Sequence, residues 1–210
     1  MFKGNITGEA ALGKIKASND AITKNDFFAD NISINVDAGG YYRWSFVRYF
    51  LYEYNLHLQE RSKTSRPKID WIEFSENQSD YHTVEHIYPQ NARAKYWTQR
   101  FAGLTAKQRD ALRNSLGNLL PLSKPKNSSL SNKPFPDKII GIKDEIVGYR
   151  FGSYAENEVA GEEEWTPLRI LDRGIRMLDF MEKRWGIDIG NERSKIELLG
   201  LSFVRKRFRN

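Results

Sequence analysis

Apolar residues at Trp44, Val47, Leu51, Tyr54 and Leu58 alternate three and four positions apart, which is one stripe of an amphipathic helix over about 44–60. A second stripe comprises Leu168, Leu171, Ile175, Leu178, Met181 and Trp185. It follows Thr166 at an N-cap and Pro167 at the first helical position, predicting a helix over about 166–185. A third helix is marked by its ends: Thr105 and Gln108 form a capping box, the body runs to Leu116, and Gly117 stands where a left-handed cap belongs. Strand signals are shorter. Ile69 to Phe74 is β-prone and leads into a polar turn, Ser75 to Asp80. Thr83 and Val84 are β-branched, and Pro89 stops any helix before it completes a turn past His86, so Glu85 and His86 fall at the end of a strand. Asn118 to Leu122 reads as a second strand, and Lys124-Pro125-Lys126-Asn127 as the entry to another helix. The piece around Trp97 reads as irregular. The first forty residues are weakly patterned, with a helix start at Thr23 and a break at Gly39-Gly40. The prediction is an α+β, predominantly helical single domain. It has an N-terminal segment 1–40, a domain 41–190 whose strand–strand–helix core lies at about 81–140, and a tail 191–210.

Composition narrows the class. The 210 residues suffice for one good-sized domain or one core with a lobe attached. No stretch approaches the ~18 uninterrupted apolar residues of a membrane span. Even Phe46 to Leu58 carries Arg48 and Glu53, and the first residues lack a signal-peptide core. Cysteine is absent, which excludes a disulfide framework and every Cys-containing zinc site and suits a reducing cytosol. A cytoplasmic protein without membrane contact is expected. The net charge of +6 is compatible with a polyanionic partner. The tail from Phe203 to Arg209 alternates basic and apolar residues and reads either as a solvated terminus or as a phosphate-contacting arm.

The chemistry concentrates in three places: Val84-Glu85-His86-Ile87-Tyr88-Pro89-Gln90, then Gly117-Asn118-Leu119-Leu120-Pro121-Leu122, then Asn127. An acid–His pair ends a strand, an Asn stands in a second apolar stretch, and another Asn opens a polar, Ser-rich segment. This order is similar to that of the ββα-metal (HNH) nucleases. The longer succession resembles the C-terminal HNH domain of GmrSD-type restriction endonucleases. The matching positions are Trp44, Leu51 and Tyr54, then Glu85 to Gln90, Trp97, Leu116 to Leu119, and Asn127 with Phe135 and Lys138. Gly152-Ser153, Glu156 and Arg184-Trp185 complete them, so the resemblance runs from about 40 to 186.

The resemblance implies a ββα-metal core and a DNA endonuclease acting in restriction or defence against foreign or modified DNA. His86 would deprotonate water, because an imidazole can be neutral at working pH and still accept a proton. Glu85 and Asn127 would hold Mg²⁺ or Mn²⁺ through hard oxygens, with Asn132 an equal alternative to Asn127. Asn118 would pin the His-bearing loop and not touch the metal. Lys124, Lys126, Lys133 and Lys138, with Arg205, Lys206 and Arg207 of the tail, would face DNA phosphates. Adjacent strand residues point to opposite faces, so Glu85 and His86 need a bend, which Pro89 and the turn after it provide. In that family this domain usually follows a ParB/sulfiredoxin-like NTP-binding domain carrying a Gly-Gln-Gln-Arg-type motif. No such motif occurs here, so a regulatory domain or subunit absent from this chain is expected as a partner, along with DNA and possible homodimerisation.

Two rivals use the same residues. His82-Thr83-Val84-Glu85-His86 also spells the H-x-x-E-H metalloprotease motif, with Glu162 to Glu164 as a source of a third zinc ligand. On a strand, however, His82 and His86 would lie about 13 Å apart, too far for one ion. The other rival is a non-catalytic nucleic-acid or partner-binding module whose HNH site is inactive or autoinhibited.

Overall fold

The computed structural model describes residues 8–24, 39–63, 69, 83–142 and 146–208. Its longest internal element is α8 (Pro167–Trp185), which is begun by Thr166 accepting from Arg169 N and closed by Gly186 in the left-handed region at φ 67°. The buried face of α8 centres on Ile170, Gly174, Met177 and Met181, with Leu171 and Leu178 beside them. Leu168, Ile175 and Trp185 are only partly buried and form the margins of the face. Beside α8 the core takes in α2 (Val47–Glu60), which buries Val47, Phe50, Leu51 and Tyr54; Trp44 precedes it in a turn.

Strand β1 (Thr83–His86) pairs antiparallel with β2 (Leu119–Leu122), with Glu85 opposite Leu120 and His86 opposite Leu119. Helix α5 (Lys124–Leu130) follows directly, so the described residues contain the strand, strand, helix order. Between the two strands lie α3 (Lys95–Arg100) and α4 (Ala106–Asn114), the latter opened by the full Thr105/Gln108 capping box. After α5 come α6 (Phe135–Ile140), a small hairpin of β3 (Gly141–Ile142) and β4 (Ile146–Val147), and α7 (Tyr154–Ala160). Preceding all of these is α1 (Gly8–Lys24), and following them are α9 (Glu192–Leu198) and α10 (Ser202–Phe208).

Several expectations need correction. The expected start at Thr23 lies at the end of α1, whose first turns are rich in alanine and owe their helicity to propensity rather than to an apolar stripe. Around Trp97 the chain is helical, because α3 is held by its fully buried indole, which donates to the Lys133 carbonyl at 3.1 Å. The tail is helical and partly packed: Asn191 caps α9, and Ile196, Leu199, Leu201 and Val204 join the main core, while Lys206 and Arg207 on α10 stay exposed. The β-prone stretch beyond Ile69 and the turn at Ser75 to Asp80 lie outside the described residues.

Gly117 is not a left-handed cap either. Helix α4 stops at Asn114, and Gly117 sits in a one-turn 3₁₀ helix (Leu116–Asn118) that leads into β2. What demands glycine there is proximity. A Cβ would stand 2.0 Å from the Ile170 carbonyl oxygen and 2.6 Å from Gly174 N, both backbone atoms of α8. Arg173 fastens the same crossing by donating to the carbonyls of Gly117 and Leu119. Gly117→Ala should therefore destabilise the fold by about 3 kcal/mol or more, beyond ordinary overpacking, because backbone must move. A urea midpoint equal to wild type would contradict this packing.

Candidate active site

His86 ends β1, and the chain beyond it is held in place by a side chain. Ile87 N donates to the Asn118 carbonyl at 3.0 Å. Tyr88 then exchanges two bonds with the Asn118 carboxamide, Tyr88 N donating to Oδ1 at 2.8 Å and Nδ2 donating to the Tyr88 carbonyl at 3.0 Å. Asn118 thereby extends the β ladder where the backbone departs from it. Its other valences are also used: Oδ1 accepts from Trp165 Nε1, and Nδ2 donates to the Arg113 carbonyl. A carboxamide with two bonds accepted and two donated has no capacity left for a metal.

The imidazole of His86 is 5% exposed, with the Tyr42 ring 4.4 Å away between centroids. Its Nε2 lies 3.3 Å from Asn114 Oδ1, and the Asn114 amide is oriented by Nδ2 donating to the Asp110 carbonyl. An oxygen facing Nε2 requires a proton there, so the hydrogen-bond network assigns the lone pair to Nδ1. Burial lowers the pKa of His86 to about 4, outweighing the opposing bond to Asn114. The ring is neutral at physiological pH and has a basic nitrogen.

Glu85 and Lys138 form a buried pair, 2.5 Å apart, with Glu85 Oε1 also accepting from Tyr149 OH at 3.1 Å. The Lys138 ammonium spends its remaining donors on the carbonyls of His86 and Ile87, each at 3.2 Å. One side chain from α6 thus holds the carboxylate before His86 and the carbonyls of His86 and Ile87. Burial pushes the Glu85 carboxyl above its ordinary pKa and Lys138 below its own, and the attraction between them opposes both shifts.

Asn127, on α5, donates from Nδ2 to Thr83 Oγ1 at 3.1 Å, and Thr83 in turn donates to the Leu122 carbonyl. Asn132 Oδ1 accepts from Asn91 N at 3.4 Å. A single hollow of about 320 Å³ is lined by Glu85, His86, Lys124, Asn127 and Asn132 together. The second oxygen of Glu85 and the side-chain Oδ1 of Asn127 are hard donors that suit Mg²⁺, an ion that keeps several of its waters, so the residues present fit such a group. They do not fit the zinc protease. Thr83 to His86 are extended, Glu162 pairs with Arg169 and Arg176, and Glu164 pairs with Arg100. Among the described residues no three His, Cys, Asp or Glu side chains cluster as metal ligands, and His82 lies outside them.

The expected phosphate contacts divide. Lys124 is exposed and lines the hollow. Lys133 is half-buried on the turn after α5. Lys138 has no exposed surface and cannot reach a phosphate. Lys126 is also spoken for, donating to the Gly148 carbonyl and to the buried carboxylate of Glu156. Both lysines hold the fold together. Arg205, Lys206 and Arg207 ride on α10, where Arg205 pairs with Glu192 at 2.6 Å.

Residues 22–180 match the C-terminal domain of the GmrSD restriction endonucleases. The chain belongs to that family. No curated protein and no solved structure matches it. As a GmrSD C-terminal domain the chain is related to restriction nucleases, and the matched span includes every residue that lines the hollow. Three residues of this GmrSD site carry no warning in the sequence: Tyr42 over the imidazole, Asn114 at its Nε2, and Tyr149 on Glu85. The Gly39-Gly40 break marks the turn before Tyr42 but does not reveal where its ring lands.

Proposed function

We propose that this chain is a metal-dependent HNH endonuclease that hydrolyses DNA phosphodiester bonds in restriction or defence against foreign or modified DNA. The observation that carries the reading is that His86, Glu85 and Asn127 line one hollow, with the Asn114 amide oxygen facing His86 Nε2 so that Nδ1 is left to accept a proton. His86 Nδ1 accepts the proton of the attacking water, and Asn114 at Nε2 stabilises the charge the ring then acquires. Glu85 and Asn127 would hold Mg²⁺ or Mn²⁺, which would supply Lewis-acid relief of charge at the phosphate and the departing oxygen. Asn118 and Lys138 keep base and carboxylate in register. Lys124 lies where a neighbouring phosphate would pass. The protein would work in the cytoplasm on DNA, in company with a ParB/sulfiredoxin-like regulatory domain or subunit.

A second reading is favoured by two contacts: Lys138 already neutralises Glu85, and Tyr42 covers His86, an arrangement that also describes an autoinhibited site. Unmodified and base-modified supercoiled plasmid, incubated with the chain in Mg²⁺, in Mn²⁺ and in EDTA, separates the two. The nuclease reading expects nicked circles with either metal and none in EDTA; intact plasmid under all conditions would sink it. Asn127→Ala should raise the Mg²⁺ concentration for half-maximal cleavage, with partial rescue by Mn²⁺. If Asn132→Ala shows that change and Asn127→Ala does not, the ligand is Asn132.

A further inference from the structure

Three hollows meet at one side chain. The hollow over His86 shares Tyr42 and Gln90 with a second, of about 750 Å³, which is lined by Arg43 and Asn114. It shares Tyr42, Thr83 and Asn127 with a third, of about 500 Å³, which is lined by Trp44 and Arg48. Tyr42 is thus the common wall of a trough that runs past the imidazole on both sides. The trough carries Arg43, Arg48 and Lys124, and among its described lining residues the only carboxylate is Glu85, whose charge Lys138 offsets. The large groove between α2 and α8 is mixed in charge: Glu53, Glu60, Glu158, Glu162 and Asp179 line it together with Arg61, Arg176, Lys183 and Arg184. Of the two, only the trough has an excess of cationic side chains, which suits a polyanion.

Tyr42 is also held in place. Its segment begins at Gly40, with φ 79°, where a Cβ would stand 2.5 Å from Asn114 Cβ and 2.9 Å from the Asn114 carbonyl oxygen. The backbone is therefore pressed against the residue that orients His86. Tyr41 is buried and donates to the Leu198 carbonyl at 3.0 Å, which turns the next residue outward. Tyr42 keeps 40% of its residue surface exposed although its ring lies against the imidazole. A partly exposed aromatic side chain on the wall of a cationic trough offers a surface on which an unpaired nucleobase can stack.

We propose that the trough walled by Tyr42 is a single-strand track, in which the backbone follows Arg43 and Lys124 past His86 and an unpaired base stacks on the Tyr42 ring. This rests on the nuclease reading of the central hollow and adds to it the form of the substrate. Duplex DNA would have to open locally, or arrive already unpaired, before a base reaches Tyr42.

Binding is measured in EDTA, so that cleavage plays no part, with a fluorescein-labelled single-stranded oligonucleotide, its duplex, and a single strand carrying a fluorescent base analogue. The wild-type chain should prefer the single strand and quench the analogue. Tyr42→Ala should bind about tenfold more weakly and lose the quench, while Tyr42→Phe keeps both. Arg43→Gln should reduce the salt dependence of log affinity by about one phosphate contact. Circular dichroism melting of each variant checks the fold. Wild-type affinity and quenching in a folded Tyr42→Ala, or a preference for duplex, would overturn the track even if plasmid cleavage proceeds. Single-strand binding with Tyr42-dependent quenching but no cleavage in any metal would keep the track and remove the nuclease.

Discussion

His86→Ala is expected to lower single-turnover plasmid cleavage by roughly 10²–10⁴-fold, the scale on which a positioned general base acts. The loss should fall on the chemical step, with DNA affinity in EDTA nearly unchanged, because the ring lies beneath Tyr42 and offers little surface to a ligand. Two pH effects accompany it. Burial brings the His86 pKa from 6.5 to about 4, and the neutral form is the active one, so wild-type cleavage should persist well below pH 6.5 and fail only on approach to about 4. Between those limits the unfolded chain binds a proton at His86 that the folded chain refuses. Stability therefore declines as pH falls through this window, by on the order of 3 kcal/mol in full, and the alanine variant should lack that part of the decline. Urea titrations at several pH values measure the difference. Cleavage by His86→Ala at the wild-type rate would end the assignment of His86 as base.

Lys138→Met is expected to cost about 3–5 kcal/mol, because it leaves the Glu85 carboxylate buried without its counter-ion and strips two carbonyls of a donor. The double variant Glu85→Gln/Lys138→Met should recover much of that stability, since no unpaired charge remains inside, yet it should stay inactive for want of the carboxylate. Urea denaturation of the two single variants and the double one forms a complete cycle. Additive effects would mean that the two groups do not depend on each other, and the description of Lys138 as the clamp on β1 would fall.

The two stripes that define α2 and α8 are legible because each spans several turns, so a margin error such as Leu168 or Ile175 does not change the element. The capping box of α4 is legible for a different reason: its residues bond to each other and need no tertiary partner. Helices α3, α9 and α10 are six or seven residues long and too short to show a period; their stability comes from buried side chains such as Trp97, Ile196 and Val204. Gly117 illustrates the same limit, since its requirement comes from α8, which is distant in sequence.

For the site, the order Glu85-His86, Asn118, Asn127 is visible because the motif residues follow one another along the chain, and all but Asn118 line one hollow. The roles of the lysines are not visible. Lys126 and Lys138 look like Lys124 in sequence, and only the carboxylates they meet, Glu156 and Glu85, separate a structural ammonium from a surface one. Those partners are 30 and 53 residues away. Tyr42 escapes for the same reason, being brought to His86 by a turn that sequence marks only with two glycines.

Tyr41 and Tyr42 are neighbours with opposite attachments, one hydrogen-bonded to Leu198 and the other lying on His86. A single planar peptide unit joins them, so the helices after Asn191 hold one end of a short rigid link whose other end rests on the proposed base. Trimming those helices to obtain a smaller protein would release that link. Engineering at the far C-terminal side of the molecule is therefore also engineering of the hollow over His86.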